Sequence, residues 1–97
     1  MDTFVILRRA GWRTADELHG AAARSSAESE RTPDDVRWIR SYVIAEPTGE
    51  LGTVCIYEAS SPEAIRTHAQ HADLPVDEIV KVIDTVLVRP DSIPATA

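Results

Sequence analysis

Two histidines with helical spacing are the residues of this sequence that most resemble metal ligands. His68 and His71 are three positions apart, and residues i and i+3 lie on one side of an α-helix, so two imidazoles can share an ion. Asp73 and Glu58 are possible oxygen donors. Imidazole, carboxylate and water together suit a borderline divalent ion such as nickel. The pattern predicts a metal site; the alternative is that His68 is a hydrogen-bonded residue at the edge of the core and His71 is solvated.

Aromatic, basic and thiol side chains on two predicted strands form a second candidate site. They are Trp38, Arg40, Tyr42, Cys55 and Tyr57. These side chains could line a small-molecule pocket, but Tyr, Trp and Arg are also favoured in protein interfaces. Cys55 is expected to be a small buried hydrophobe unless a charge such as that of Arg40 activates its thiol. No catalytic residue is assigned, because the sequence has no Ser/His/Asp order or glycine-rich phosphate loop.

Local sequence signals predict six elements that would position these residues. Thr14 and Glu17 form a capping box at the start of one helix, and Ser61, followed by Pro62, caps another. Alternating apolar residues predict strands, including one that places Val36, Trp38, Arg40, Tyr42 and Ile44 on one face. The predicted elements are strand 3–9, helix 14–30, strand 36–46, strand 53–58, helix 61–72 and strand 79–88.

The order strand, helix, strand, strand, helix, strand predicts a ferredoxin-like α+β fold. Two right-handed crossovers that interleave in one antiparallel sheet give this arrangement. Ninety-seven residues suffice for one such domain. We expect a single domain over residues 1–89 and a flexible C-terminal tail over residues 90–97.

Two short helices can cover only one face of a four-stranded sheet, and the uncovered face is predicted to be apolar. Large apolar residues occur on both faces of the predicted strands. An exposed apolar patch on a small protein usually marks a contact surface. The sequence therefore predicts a homodimer that forms through the open face of the sheet.

Charge and cysteine content restrict the classes of partner and compartment. The chain has 10 basic and 16 acidic residues, a net charge of −6, and no cluster of Lys or Arg, so we expect no nucleic-acid partner. The single cysteine excludes an internal disulfide and favours a reducing compartment. The apolar runs are too short to cross a membrane, and residues 1–10 lack the order of a secretory signal. We expect a cytoplasmic protein with no membrane association.

Four segments of the sequence together resemble a known protein family. They are residues 38–43 (WIRSYV), residues 55–59 (CIYEA), residues 64–69 (AIRTHA), and Leu74-Pro75 with Ile79. In this combination the chain resembles a family of small bacterial ferredoxin-like domains of unknown function with nickel-binding members. The resemblance implies a dimer and, in some members, nickel held at the dimer surface.

These observations predict a non-enzymatic, cytoplasmic homodimer that stores or sequesters a divalent transition metal, foremost nickel. The alternative is a dimeric α+β-barrel that binds a small molecule or acts as a monooxygenase- or isomerase-like enzyme, which rests on analogy of fold alone. A cavity lined by Tyr42, Cys55 and Tyr57 would favour the alternative.

Overall fold

Four strands and two helices follow one another in the order that the sequence predicts. The computed structural model describes residues 1–91. Its elements are β1 (Asp2–Trp12), α1 (Ala15–Arg31), β2 (Val36–Ala45), β3 (Leu51–Ala59), α2 (Pro62–Ala72) and β4 (Glu78–Lys81). The strands form one antiparallel sheet in the order β2-β3-β1-β4. The predicted ferredoxin-like α+β fold is confirmed. None of the helices in this part of the chain is both long and apolar enough to span a membrane.

Both helices begin at the hydroxyl residues that the sequence marks as caps. Thr14 Oγ1 accepts a hydrogen bond from the Glu17 amide at 3.2 Å, and Ser61 Oγ accepts one from the Ala64 amide at 3.1 Å. Each hydroxyl satisfies an amide that has no partner within its own helix. At its other end, α2 is closed by Asp73, whose backbone is left-handed with φ of 55°. The helix positions are therefore fixed by local sequence.

An irregularity in β2 changes which face its residues occupy. Trp38 and Arg40 lie opposite consecutive residues of β3, Tyr57 and Ile56, so β2 has one residue more than β3 at this point. An extra residue of this kind reverses the alternation of side chains beyond it. The common face predicted for Trp38, Arg40 and Tyr42 is therefore wrong. Trp38 faces the helices, whereas Arg40 and Tyr42 face away from them.

The last strand is shorter than predicted. β4 comprises only Glu78–Lys81, whereas the sequence predicts a strand over residues 79–88. The Val82 amide donates to the Thr3 carbonyl at 2.9 Å, and β1 begins at Asp2, so β1 offers no further strand residues to pair with. In the described part of the chain, residues 83–88 lie in no strand, and Ile83 is 94% exposed.

The two faces of the sheet differ in how they are covered. The helices cover the face that carries the core, which comprises Phe4, Ile6, Val36, Cys55, Tyr57, Ala59 and Ile65. The alternate residues of the strands lie on the other side, which we call the open face. Its apolar side chains are Val5, Leu7, Tyr42, Ile44, Val54, Ile56 and Val80, of which Tyr42 and Val80 are the most exposed. The side left bare by the helices thus carries apolar side chains, as the sequence predicts, together with charged ones such as Arg40 and Glu58.

Candidate functional site

A groove lies between α2 and the C-terminal end of α1. It contains His71, one of the two predicted histidine ligands, in an exposed position. The groove has a volume of about 280 Å³, and Glu28, His68 and His71 line it. His71 Nδ1 lies 3.1 Å from Glu28 Oε1, and Arg31 Nη1 donates to Glu28 Oε2 at 3.1 Å. The side chain of Glu28 is 7% exposed and that of His71 is 52% exposed. A buried carboxylate therefore holds a solvent-accessible imidazole.

The electrostatics of this pair keep the carboxylate ionised. The hydrogen bond from His71 holds the pKa of Glu28 below its ordinary value, and the charge of Arg31 acts in the same direction against the effect of burial. An ionised carboxylate is a hydrogen-bond acceptor only, so His71 donates its Nδ1 proton to Glu28. When His71 is neutral, Nε2 is then left as an unprotonated ring nitrogen.

His68 is buried among protein groups and is not at the edge of the core. Its side chain is 2% exposed, and Nε2 lies 3.1 Å from Ser25 Oγ on α1. The edge of the ring lies against Tyr57, with 5.5 Å between ring centroids. Burial, reinforced by the positive charge of Arg8, lowers the pKa of His68. Burial thus favours the neutral form of His68 inside the helix–sheet layer, and the structure does not present its imidazole to solvent beside His71.

The two predicted oxygen donors lie apart from each other. Asp73 follows α2 and is exposed, two residues beyond His71, so it lies near the same end of the helix. Glu58 is on β3 opposite Thr3 and Arg37, on the open face, and the sheet separates it from α2. Within residues 1–91, no group of three or more histidine, cysteine or carboxylate side chains could hold a metal ion. The four predicted ligands are therefore not assembled into one closed site.

The second predicted set is divided by the sheet. Cys55 and Tyr57 face the helices with Trp38, whereas Arg40 and Tyr42 face away on the open face. Residues 1–91 therefore do not form the cavity lined by Tyr42, Cys55 and Tyr57 together that would favour the alternative function. The extra residue in β2 is the cause, because it moves the later residues of that strand to the opposite side.

Asp91 joins the open-face members of that set, although the sequence placed it in the predicted tail. Asp91 Oδ2 accepts hydrogen bonds from Tyr42 Oη at 2.6 Å and from Arg40 Nη1 at 2.9 Å. These bonds lower the pKa of Asp91, and the same carboxylate raises the pKa of Tyr42. The chain therefore returns to β2 at residue 91. The rest of the predicted tail, residues 92–97, lies outside the described residues.

The helix-facing members of the second predicted set line a cavity beneath α1. Arg8, which the sequence did not indicate as a site residue, lines it with them. The cavity has a volume of about 250 Å³, and Arg8, Ser25, Trp38, Cys55 and Tyr57 are among its walls. Arg8 is only 1% exposed. It follows Phe4 and Ile6 at a spacing of two, a pattern that places it on the core face of β1. That spacing was the available signal, but an arginine at a strand end is usually solvated.

Cys55 is inside this layer as a free thiol. It is 5% exposed, and its Sγ lies 3.3 Å from Thr53 Oγ1. Reactive thiols require an accessible, electropositive setting. The burial matches the sequence-based interpretation of Cys55 as a small buried residue.

This chain is a ferredoxin-like α+β domain, because two helices cover one face of its four-stranded antiparallel sheet. An exposed histidine that a glutamate holds in place marks a candidate metal-binding groove on this domain. The family described as "Nickel responsive protein SCO4226-like" matches residues 4–82. The chain belongs to this family, and the resemblance found in the sequence is confirmed.

A solved structure is also similar to this chain. SCO4226 from Streptomyces coelicolor A3(2) shares 26% sequence identity with it at a TM-score of 0.66. The match covers 87% of this chain and 99% of the other. No curated protein matches the chain.

Proposed function

We propose that this protein binds a divalent transition metal ion, foremost Ni²⁺, through His71, and that it stores or sequesters the ion without catalysing a reaction. The observation that carries the proposal is the hydrogen bond between His71 Nδ1 and the buried Glu28 carboxylate. Metal-binding histidines usually donate the N–H of the second ring nitrogen to a carboxylate, a backbone carbonyl or water, which fixes the tautomer and the orientation of the ring. The name of the family supports nickel as the ion.

The donor set fits an open surface site better than a closed one. His71 Nε2 is the nitrogen available for a metal ion, and we assign the exposed carboxylate of Asp73, two residues further along the chain, as its partner. Imidazole and carboxylate are suitable ligands for Ni²⁺. Two donors leave coordination positions for water or for groups of a second chain. Such a site would bind and release its ion readily, which suits storage or sequestration more than a permanent structural role. Glu58, on the far face of the sheet, has no part in this site.

Titration of Ni²⁺ into metal-free, untagged protein tests the proposal. We expect calorimetry to show saturable binding that His71→Ala abolishes. Glu28→Gln keeps the size of the side chain but removes its charge, and it should weaken binding about 10- to 100-fold, the usual effect of losing such a partner. His19→Ala is the matched control, because His19 is exposed on α1 and has no contact with the groove. Equal heats for His71→Ala and His19→Ala would contradict the assignment.

We further propose that the protein acts as a homodimer that covers the open face with a second copy. The open face carries a set of apolar side chains, and residues 83–88 extend beyond β4 with apolar side chains of high exposure: Ile83 94%, Val86 86%, Leu87 75% and Val88 81%. The backbone of this extended segment lacks a strand partner within residues 1–91. A second chain offers both apolar surface and strand edges, and stable interfaces bury about 1,200–2,000 Å² in total.

Sedimentation measurements on two single-residue variants test the dimer. Ile83→Asp introduces a charge into the extended segment at a position that makes little contact within the chain, so the fold should survive and dissociation should increase. Ala27→Asp places the same charge on the exposed side of α1 and should leave the dimer intact. A wild-type protein that sediments as a monomer at micromolar concentration would refute this part of the proposal.

The proposed compartment is the cytoplasm. Its support is the lone thiol, Cys55, which is buried and free, as is usual for proteins of reducing compartments. Measuring the distribution of the protein between cytoplasmic and extracytoplasmic fractions of its own cells tests this placement.

A further inference from the structure

The cavity beneath α1 contains a buried positive charge for which residues 1–91 supply no counter-ion. Arg8 is 1% exposed, and its Nε, Nη1 and Nη2 atoms have no hydrogen-bond partner among residues 1–91. Its guanidinium forms no salt bridge in that part of the chain, and it lies over the ring of Tyr57, with the centroid 5.8 Å from Cζ. Arginine stays protonated in proteins. A buried guanidinium without a partner is costly, by several kcal/mol in typical cases.

The surroundings of Arg8 supply further hydrogen-bonding groups and a flat apolar wall. Tyr57 Oη and Ser25 Oγ lie 2.7 Å apart and both residues line the cavity. The two tryptophans of the chain, Trp12 and Trp38, also line it, and the ring of Trp38 stacks on that of Tyr57 at 6.3 Å between centroids. Pockets for small ligands have this character: apolar and aromatic walls with a few polar groups that fix the orientation of the ligand.

We propose that this cavity binds a small organic carboxylate, with the carboxylate paired to Arg8 and the carbon skeleton between the indole rings and α1. A guanidinium presents two parallel N–H groups that match the two oxygens of a carboxylate. One negative charge neutralises one buried positive charge. A phosphate dianion would leave an excess negative charge in the cavity, and its hydrophilic oxygens would face the indole rings. The volume of about 250 Å³ is below that of sites for drug-sized ligands, so the ligand is small.

This site is separate from the groove proposed for the metal ion. The cavity is lined by Arg8 and the two tryptophans, whereas Glu28 and His71 line only the groove. Loss of carboxylate binding therefore leaves the proposed metal site in place, and the two proposals can fail independently.

Tryptophan fluorescence provides a direct readout, because both tryptophans are in the cavity wall. We expect benzoate and hexanoate at millimolar concentrations to change the emission of the wild-type protein saturably, and inorganic phosphate to have no effect. Arg8→Met keeps an apolar side chain of similar length and should weaken benzoate binding about 10- to 100-fold, the usual range for a charged hydrogen-bonded pair. Arg37→Met, on the exposed part of β2, is the matched control and should bind benzoate as the wild type does. Nickel binding should be the same in both variants.

A second measurement on the wild-type protein covers the case in which Arg8→Met does not fold. The Arg8 Nε–H resonance should shift on addition of benzoate in an NMR titration, whereas that of exposed Arg37 should not. The proposal is overturned by the absence of a fluorescence change and of an Arg8 shift with both carboxylates. It is also overturned if binding by Arg8→Met is undiminished, or if phosphate binds as strongly as benzoate.

Discussion

Gly52 lies where β1, β3 and the turn after β2 approach one another closely. A Cβ atom at this position would lie 2.7 Å from the carbonyl oxygen of Arg8 and 2.8 Å from Glu46 Oε2. Neither atom can move freely. The Arg8 carbonyl is backbone, and the Glu46 carboxylate accepts hydrogen bonds from Arg9 Nε at 2.9 Å and from the Ala10 amide at 2.6 Å. Gly52→Ala must therefore either separate β3 from β1 or displace a buried carboxylate from its partners.

The stability cost can be compared with a glycine-to-alanine change at a roomy position. Overpacking by one methyl group typically costs ~1–3 kcal/mol, and Gly52→Ala belongs in this range. At Gly20, inside α1, a new Cβ would approach only Arg24 Nη1, at 3.6 Å, an ordinary contact. Gly20→Ala should stabilise the protein by ~0.5–1 kcal/mol, because alanine favours the helix. The same chemical change thus has opposite signs at the two sites.

Urea unfolding followed by circular dichroism, at one protein concentration for all variants, measures the difference. We expect the two variants to differ by ~1.5–4 kcal/mol in the free energy of unfolding. Gly52→Ala should also weaken benzoate binding, since the displaced carbonyl belongs to Arg8. A Gly52→Ala variant as stable as Gly20→Ala would show that the close approach of β3 to β1 is wrong.

Two further predictions concern titrating groups. Burial lowers the pKa of His68 below its ordinary value of 6.5, so on acidification the unfolded chain binds a proton that the native protein does not. The free energy of unfolding should therefore fall as the pH decreases from about 7 to about 5. His68→Gln, which can still bond to Ser25, should remove that part of the pH dependence, and an unchanged pH dependence would contradict the prediction. Asp91→Asn should lower the pKa of Tyr42, because the carboxylate that stabilises the neutral phenol is lost; ultraviolet titration should show one of the two tyrosine transitions shifting down and that of buried Tyr57 staying in place.

The elements that the sequence predicts well are those set by neighbouring residues. Thr14 and Ser61 cap helices through bonds to amides three positions later, so both helix starts are visible in the sequence. Strand order follows from the same local pattern, because a strand-helix-strand-strand-helix-strand chain has few ways to form one antiparallel sheet.

Features that depend on pairing between distant segments could not be predicted in this way. In the sequence, Trp38, Arg40 and Tyr42 alternate regularly. The extra residue of β2 becomes visible only when the pairing of β2 with β3 is known. β4 ends early because strand length depends on how much of β1 is available, not on the Val- and Ile-rich sequence that follows it.

The candidate sites show the same division between local and distant information. The spacing of His68 and His71 correctly predicted a helix that carries two histidines. That His68 is buried whereas His71 is exposed depends on how α1 packs against that helix. Glu28 and Ser25 are three residues apart on α1, and each contacts a different histidine. Neither of these two α1 residues had a signal of its own, because a glutamate and a serine on a helix are ordinarily solvated.

Ser25 also constrains the protonation of His68, because a hydroxyl has one hydrogen to donate. Ser25 Oγ lies 2.7 Å from Tyr57 Oη and 3.1 Å from His68 Nε2. If Tyr57 donates to Ser25, then Ser25 donates to Nε2 and the proton of His68 is on Nδ1; if Ser25 donates to Tyr57, the proton is on Nε2. A carboxylate in the cavity that accepts the Tyr57 proton selects the second arrangement. We expect ¹⁵N NMR to show a neutral His68 at neutral pH whose tautomer changes toward Nε2–H on addition of benzoate, and a His68 imidazolium under these conditions would refute the hydrogen-bond assignment.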